Sequence, residues 1–489
     1  RERYPEDDGD HSGLAVVPAA IEFRRQLVFI EVKVMSNSRR DFLKAAGMMV
    51  MAGSSGFMGL DQFVYGADDG NPVSAAQQEQ KATLVTIFLR GGADGLHVFV
   101  PYGDPLYYQF RKSLALYAND PANAKSRGNQ KGVIPLDDPN HYWGINRHMQ
   151  ALIPLMKEGK CVPIVNVGSP DPTRSHFNAQ DYMERASFGS GAATTGWLNR
   201  YLEATKKPFD APLRGLSAKS LVPRALRGNY PVLAGNNHTE KMDLFEDLYS
   251  SKNLVGMDAR SGAGEQKGSS LDDAKPVMDK KGLTSDMTRD IIAQSGSNAV
   301  ERIKALERVE KMENSARYPA GELGEQLKVI SRVIKADVGL EVAQADYGGW
   351  DHHSGQGNVN GKMSQMLGHL TDNIVAFTQD LGSRMDRTMV LVMTEFGRTV
   401  HENGSEGTDH GRGSFMLAVG NMLKPGMYGV WTGLQDLDSE RFQPVHTDFR
   451  AVFAESLNKL YKVDPLKLRI FPGFSPRKEM MLDFMKPLA

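Results

Sequence analysis

The chain has 489 residues, with 58 Lys+Arg against 59 Asp+Glu and a formal net charge of −1. That length supports a sizeable core in one large domain or two ordinary ones, and the near-neutral balance argues against nucleic acid or an anionic surface as the main partner. The single cysteine, Cys161, excludes an internal disulfide and any Cys-rich zinc pattern, so a metal would have to be held by His, Asp and Glu.

Residues 1–34 are charged and aperiodic and precede Met35. They read as an extension outside the native start or as a disordered tail. From Ser38 the chain reads SRRDFLK, followed by a run rich in Gly, Ala and Met over residues 45–60. This resembles the twin-arginine export signal: a positive region before a modest apolar one. The apolar run is too short and too rich in glycine to span a membrane well. The resemblance implies a signal over residues 35–67, cleaved near Ala67, and a periplasmic or secreted protein without a stable membrane span. Residues 68–80 read as a polar linker, and residues 81–489 as a single domain.

Residues 82–89 (ATLVTIFL) form a continuous apolar run of the kind found in buried parallel strands. The run ends in RGGADG, which leaves Asp94 at the strand's C-terminal end, where open α/β sheets place ligands. Alternatively, Asp94-Gly95 is only a turn. Residues 104–140 look irregular. Residues 145–158 carry apolar residues at helical spacing, closed by Gly159. Residues 161–167 (CVPIVNV) read as a second buried strand, which gives a βαβ rhythm.

After it comes GSPDPTRSHF, with Ser175 at a helix start. As local chemistry Ser175 is an N-cap. The functional alternative is a nucleophile or metal-bound hydroxyl favoured by the helix end, with Arg174 and His176 beside it as contacts for an anionic group. Residues 190–285 show short strand-like pieces, and residues 258–281 are rich in Gly, Ser, Asp and Lys, so a mobile insertion is expected over roughly residues 255–285. Residues 285–315 and 321–335 carry core-facing helical stripes.

Residues 340–345 are a third strand candidate, leading into YGGWDHHSG. Asp351, His352 and His353 on a glycine-flanked loop suit zinc or a similar transition metal. Residues 362–385 read as a long amphipathic helix. Residues 389–393 read as a strand that carries Glu395 at its tip, and Asp409-His410 follows between Gly407 and Gly411. Residues 415–419 and 445–461 read as a further strand and a C-terminal helix.

Taken in order, RGGADG, RSHF, GGWDHH, TEFGRT and GTDHG, with the export signal, resemble the twin-arginine-exported family called domain of unknown function 1501. The resemblance runs from about Leu84 to the C-terminus. That family looks related to the alkaline phosphatase and sulfatase superfamily. The relation implies a three-layer α/β/α sandwich, alkaline-phosphatase-like, around a mixed, mostly parallel sheet with one or two divalent ions at the strand ends. It places Asp351, His353 and His410 on one ion and Asp94, Glu395 and Ser175 on the other, counts Asp409 among the metal-binding residues, and gives Arg174 or Arg398 the oxygens of a phosphate or sulfate. Two departures stand out. Phe396 occupies the place of a superfamily histidine, and His352 stands in the middle of an Asp-x-His triplet, where it is read as facing outward. The implied activity is hydrolysis of phosphate or sulfate esters on a small molecule or a polymer. The alternative is an exported binding or accessory protein that retains the fold and a partial metal site.

Overall fold

The computed structural model describes residues 81–118, 132–189, 192–207, 210–235 and 304–488. The expectations for residues 1–80, for the insertion over 255–285 and for the helical stripe before residue 304 lie outside the described residues.

Strand β1 (Thr83–Arg90) shows why the sheet has two covered faces. Its residues alternate strictly: Val85, Ile87 and Leu89 enter one apolar core, while Leu84 and Phe88 enter another. A strand buried on both sides needs apolar residues throughout, which is what a continuous run provides. The same alternation holds in β9 (Thr388–Thr394), with Val390 and Val392 on one side and Met389, Leu391 and Met393 on the other. Helices α6 (Glu322–Lys335) and α7 (Lys362–Leu381) supply the first core. Helices α5 (Trp197–Ala204) and α8 (Phe449–Tyr461) supply the second. The result is an α/β protein with helices on both faces of the sheet.

Eight strands form that sheet, in the order β11-β5-β10-β9-β1-β8-β6-β7. The others are β5 (Cys161–Gly168), β6 (Gly215–Ser217), β7 (Leu233–Ala234), β8 (Val342–Gly348), β10 (Ser414–Val419) and β11 (Thr447–Asp448). Every pairing is parallel except those of β10, which runs against both β5 and β9. The sheet is therefore mixed and mostly parallel. The reversal matters for the site, because it brings the start of β10 to the edge where β1, β5, β8 and β9 end. A small second sheet joins β2 (Phe99–Val100), β3 (Val133–Pro135) and β4 (Gly144–Asn146).

The helix expected over residues 145–158 is shorter and mixed. Ile145 and Asn146 belong to β4, a 3₁₀ segment covers Arg147–Leu152, and α3 (Ile153–Lys157) completes the stretch. Pro154 explains the change, since it has no N–H to close an α-turn onto the preceding segment. The 104–140 excursion contains α2 (Pro105–Phe110), started by an Asp104 cap and Pro105. Ahead of it, α1 (Gly95–Val98) is a single turn capped by Asp94. The remaining helix, α4 (His176–Arg185), follows β5.

One buried carboxylate ties the first core together. Asp380 on α7 accepts hydrogen bonds from Asn314, Ser315, Tyr318, Ser331 and Lys335, five residues spread over α6 and the segment before it. Burial alone would raise its pKa, but the bonds from Lys335, Ser331, Asn314 and Ser315 more than offset this and hold it well below the ordinary carboxylate range. A folded-state pKa depressed in this way stabilises the fold above the unfolded value of about 3.8 and ceases to do so as pH falls through the folded value. Asp380→Ala removes the acceptor from a largely buried lysine and from donors on four other residues, and should cost about 3–5 kcal/mol in urea unfolding. The deficit should shrink in acid, where the wild type also loses the charge.

Candidate metal centre

Five chain segments meet at one edge of the sheet. They follow β1 (Gly91-Gly92), β5 (Arg174 to His176), β8 (Trp350 to His353) and β9 (Glu395 to Arg398), or precede β10 (Asp409-His410). Glycines let them approach. Gly91 has φ +124°, and a Cβ there would lie 2.6 Å from the Asp351 nitrogen. A Cβ on Gly407 would lie 2.4 Å from the His353 carbonyl carbon.

Three histidines share one plan. His176 sets Nδ1 2.7 Å from Glu395 Oε1. His353 sets Nδ1 3.1 Å from Asp409 Oδ1. His410 sets Nδ1 2.7 Å from the Arg174 carbonyl oxygen. With a carboxylate or carbonyl as partner, Nδ1 carries the proton in each ring and Nε2 presents its lone pair. All three Nε2 atoms converge on Asp351: 3.4 Å from Oδ2 for His176, and 3.1 and 3.5 Å from Oδ1 for His353 and His410. Donor atoms bonded to zinc at ~2.0–2.1 Å in a tetrahedron lie roughly 3.3 Å apart.

Two further observations fit a cation. The His353 and His410 Nε2 atoms face each other at 2.9 Å, so two lone pairs oppose each other unless a cation or a proton sits between them. The His176 Nε2 is buried without a hydrogen-bond partner and aims at the same carboxylate. His176, Asp351 and His410 place a ligand atom each within 4.8 Å of one another, a group of three that His353 adjoins through Asp351 and His410. Partners that fix the tautomer and orientation of ligating histidines are the usual support of a protein metal site. The donor set therefore fits a transition ion such as zinc.

The electrostatics follow from the same contacts. Burial alone would raise the Glu395 pKa, but bonds from His176, Gln180 and the Gly91 N–H outweigh it and the pKa is lowered. His176 is raised, first by its bond to Glu395. Asp351 is lowered despite its partial burial, chiefly by Arg398. His410 is lowered by burial and by the nearby His176 and Arg398 charges, although its bond to the Arg174 carbonyl acts the other way. The centre is open: the Asp351 and His353 side chains are 42% and 46% exposed.

The remaining sequence candidates take distinct places. Glu395 is buried behind His176, and Asp409 lies behind His353. Asp94 is taken up by other partners. Its carboxylate is 2% exposed and pairs with both terminal nitrogens of Arg111, whose side chain is fully buried. It also accepts from Gln356 at 2.7 Å and from the Leu96 N–H. Arg398 is buried, bound to Asp351 and to the carbonyls of Gly91, Gly92 and Thr408. Its donors thus hold three loops together. Ser175 takes the N-cap position of α4 but makes no capping bond with its side chain, and it is exposed. Arg174 is exposed, with its guanidinium 4.6 Å over the Phe442 ring. Phe396 packs its ring against His176 and His410 with centroids 4.8 and 5.1 Å apart.

His352 corrects an expectation. It is 4% exposed rather than outward-facing, and burial, followed by Lys362 and Arg398, pushes its pKa down to about 4. The extended chain alternates from the buried Trp350 anchor, so Asp351 and His353 face out and His352 faces in. His176 was not among the assigned ligands. Its signal in the sequence was its place one residue after Ser175, on a loop that leaves a strand end.

The fold and this edge cluster define an α/β protein with a candidate metal centre at the strand ends. Over residues 81–467 the chain matches the family described as protein of unknown function (DUF1501), and it belongs to that family. No curated protein matches the chain. Among the described residues, no helix is long and apolar enough to cross a membrane.

Proposed function

We propose that the protein is a metal-dependent hydrolase of phosphate or sulfate esters, exported through the twin-arginine pathway and related to the alkaline phosphatase and sulfatase superfamily. The observation that carries this reading is the convergence of three histidine Nε2 atoms on Asp351 at an open strand edge. In this reading His176, Asp351, His353 and His410 hold one divalent ion, with zinc the closest match to the donors. The ion, when bound, supplies Lewis-acid activation of water and of the ester oxygen.

The chain's own residues do the rest. Glu395, Asp409 and the Arg174 carbonyl keep the three rings in the Nδ1–H form. Arg398 keeps Asp351 ionised and oriented, and Phe396 fixes two imidazole planes by packing. Ser175, exposed at the start of α4, is placed to touch a bound ester through its hydroxyl, either as nucleophile or as hydrogen-bond donor. Metal-loaded protein should hydrolyse aryl phosphates or aryl sulfates, and His410→Ala should abolish the activity. A loaded protein inert across a broad panel of both ester types would instead support the second reading, an exported accessory protein with a partial metal site. The Asp94–Arg111 pair favours that alternative, because it takes up the carboxylate a second ion would use.

A further inference from the structure

A charge imbalance around the centre bears on the substrate, and it rests on the metal-centre reading above. The charged groups that touch the four donors, or touch those partners in turn, are few. Asp351 pairs with Arg398. Glu395 supports His176, and Asp409 supports His353. Arg441 reaches Asp409 Oδ2 at 3.2 Å. Arg174 touches His410 through its carbonyl, and its guanidinium pairs with no carboxylate among the described residues. Three guanidinium groups thus face three carboxylates, and the charge of a bound divalent ion is left uncompensated.

Arg174 and Arg441 also share a support. Their guanidinium carbons lie 4.6 and 5.6 Å from the centroid of the Phe442 ring. Phe442 is buried, so it is a fixed platform, and cation–π contact seats the Arg174 guanidinium without neutralising it, while Arg441 rests on the same ring and pairs with Asp409. Both residues are exposed. Arg398 cannot share this task, since its nitrogens are occupied by Asp351 and backbone carbonyls. Asp94, which the family resemblance assigns to a second ion, is held by Arg111.

The geometry points to Arg174 and Arg441, seated on Phe442, as an anion clamp that takes the place of a second metal ion and selects a doubly charged ester. Near neutral pH a phosphate monoester carries nearly two negative charges, with its second pKa near 6, whereas a sulfate ester carries one. An uncompensated divalent charge flanked by two guanidinium forks therefore favours the phosphate monoester. The forks can offer paired N–H donors to its oxygens.

The test uses the full chain loaded with zinc, with metal content measured first. Phenylphosphonate and benzenesulfonate, stable mimics with two charges and one, are titrated calorimetrically at a pH where the phosphonate is doubly ionised. The phosphonate should bind at least ~10-fold more tightly. Arg174→Gln and Arg441→Gln should each weaken it by about tenfold, the effect of one lost charge-assisted bond, with metal content unchanged. Equal affinity for the two mimics, or phosphonate binding unaffected in both variants, would overturn the clamp while leaving the metal centre standing. Loss of the ion in Arg441→Gln would assign that residue to holding Asp409 and would also overturn it. Failure of the wild type to bind the ion would remove the hydrolase reading, and the clamp with it.

Discussion

Asp94→Asn should lower the stability of the protein by about 3–5 kcal/mol, the usual cost of leaving a buried partner charge unpaired, and should leave its metal content unchanged. The size follows from Arg111. Its side chain is fully buried, and besides Asp94 its hydrogen-bond partners among the described residues are the carbonyls of Val400 and Thr399. Burial alone would raise the Asp94 pKa, but Arg111 reverses that and lowers it, so the pair is ionised in the folded state. Asparagine keeps the shape and one acceptor oxygen but removes the counter-charge paired directly with the guanidinium, leaving the more distant Glu402. Asp94 also anchors the loops of the centre indirectly: Gln356 donates to it and accepts from the Thr408 hydroxyl, beside Asp409. Equilibrium urea unfolding reads the first effect and elemental analysis the second. A stable Asp94→Asn variant that binds less metal would identify Asp94 as a ligand and contradict this role.

Glu395→Gln should weaken metal binding by about 10–100-fold, the usual effect of removing a group that supports a ligand, without changing the number of ions bound. Glu395 is buried and takes four donors: His176, Gln180, the Gly91 N–H and the Thr394 hydroxyl. Its Oε1 fixes the His176 proton on Nδ1. A glutamine keeps the volume but withdraws the negative charge that makes the imidazole a better donor. Its amide can also turn an N–H toward His176 and favour the wrong tautomer. Competition with a fluorescent zinc chelator measures the affinity. A fall in stoichiometry with the remaining affinity intact would mean that Glu395 ligates an ion of its own.

Much of the frame was legible in the sequence because strands buried on two faces must be apolar throughout. β1, β5, β9 and β10 stand out as runs for that reason, and α6 and α7 stand out by their stripes. The short strands β6 and β7 lack such a signature, and Pro154 broke a stripe that spacing alone would have made one helix. At the site, the strand-end positions were legible but the division of labour was not. Whether a carboxylate meets an ion, an imidazole or a guanidinium depends on partners far away in the chain. Glu395 meets His176 across more than two hundred residues, and Arg111 sits in a stretch that looked like irregular loop. His176 was hidden beside a serine that drew attention to itself as a helix cap. Phe396 drew attention as a departure from the resemblance, and in the structure its ring packs against His176 from α4.

We propose a single ion held by His176, Asp351, His353 and His410. The most direct test is elemental analysis of the full chain after zinc loading and desalting, alongside His176→Ala and His410→Ala. The wild type should hold one equivalent of metal per chain and either variant little or none. No bound metal in the wild type, or one equivalent retained in both variants, would contradict it.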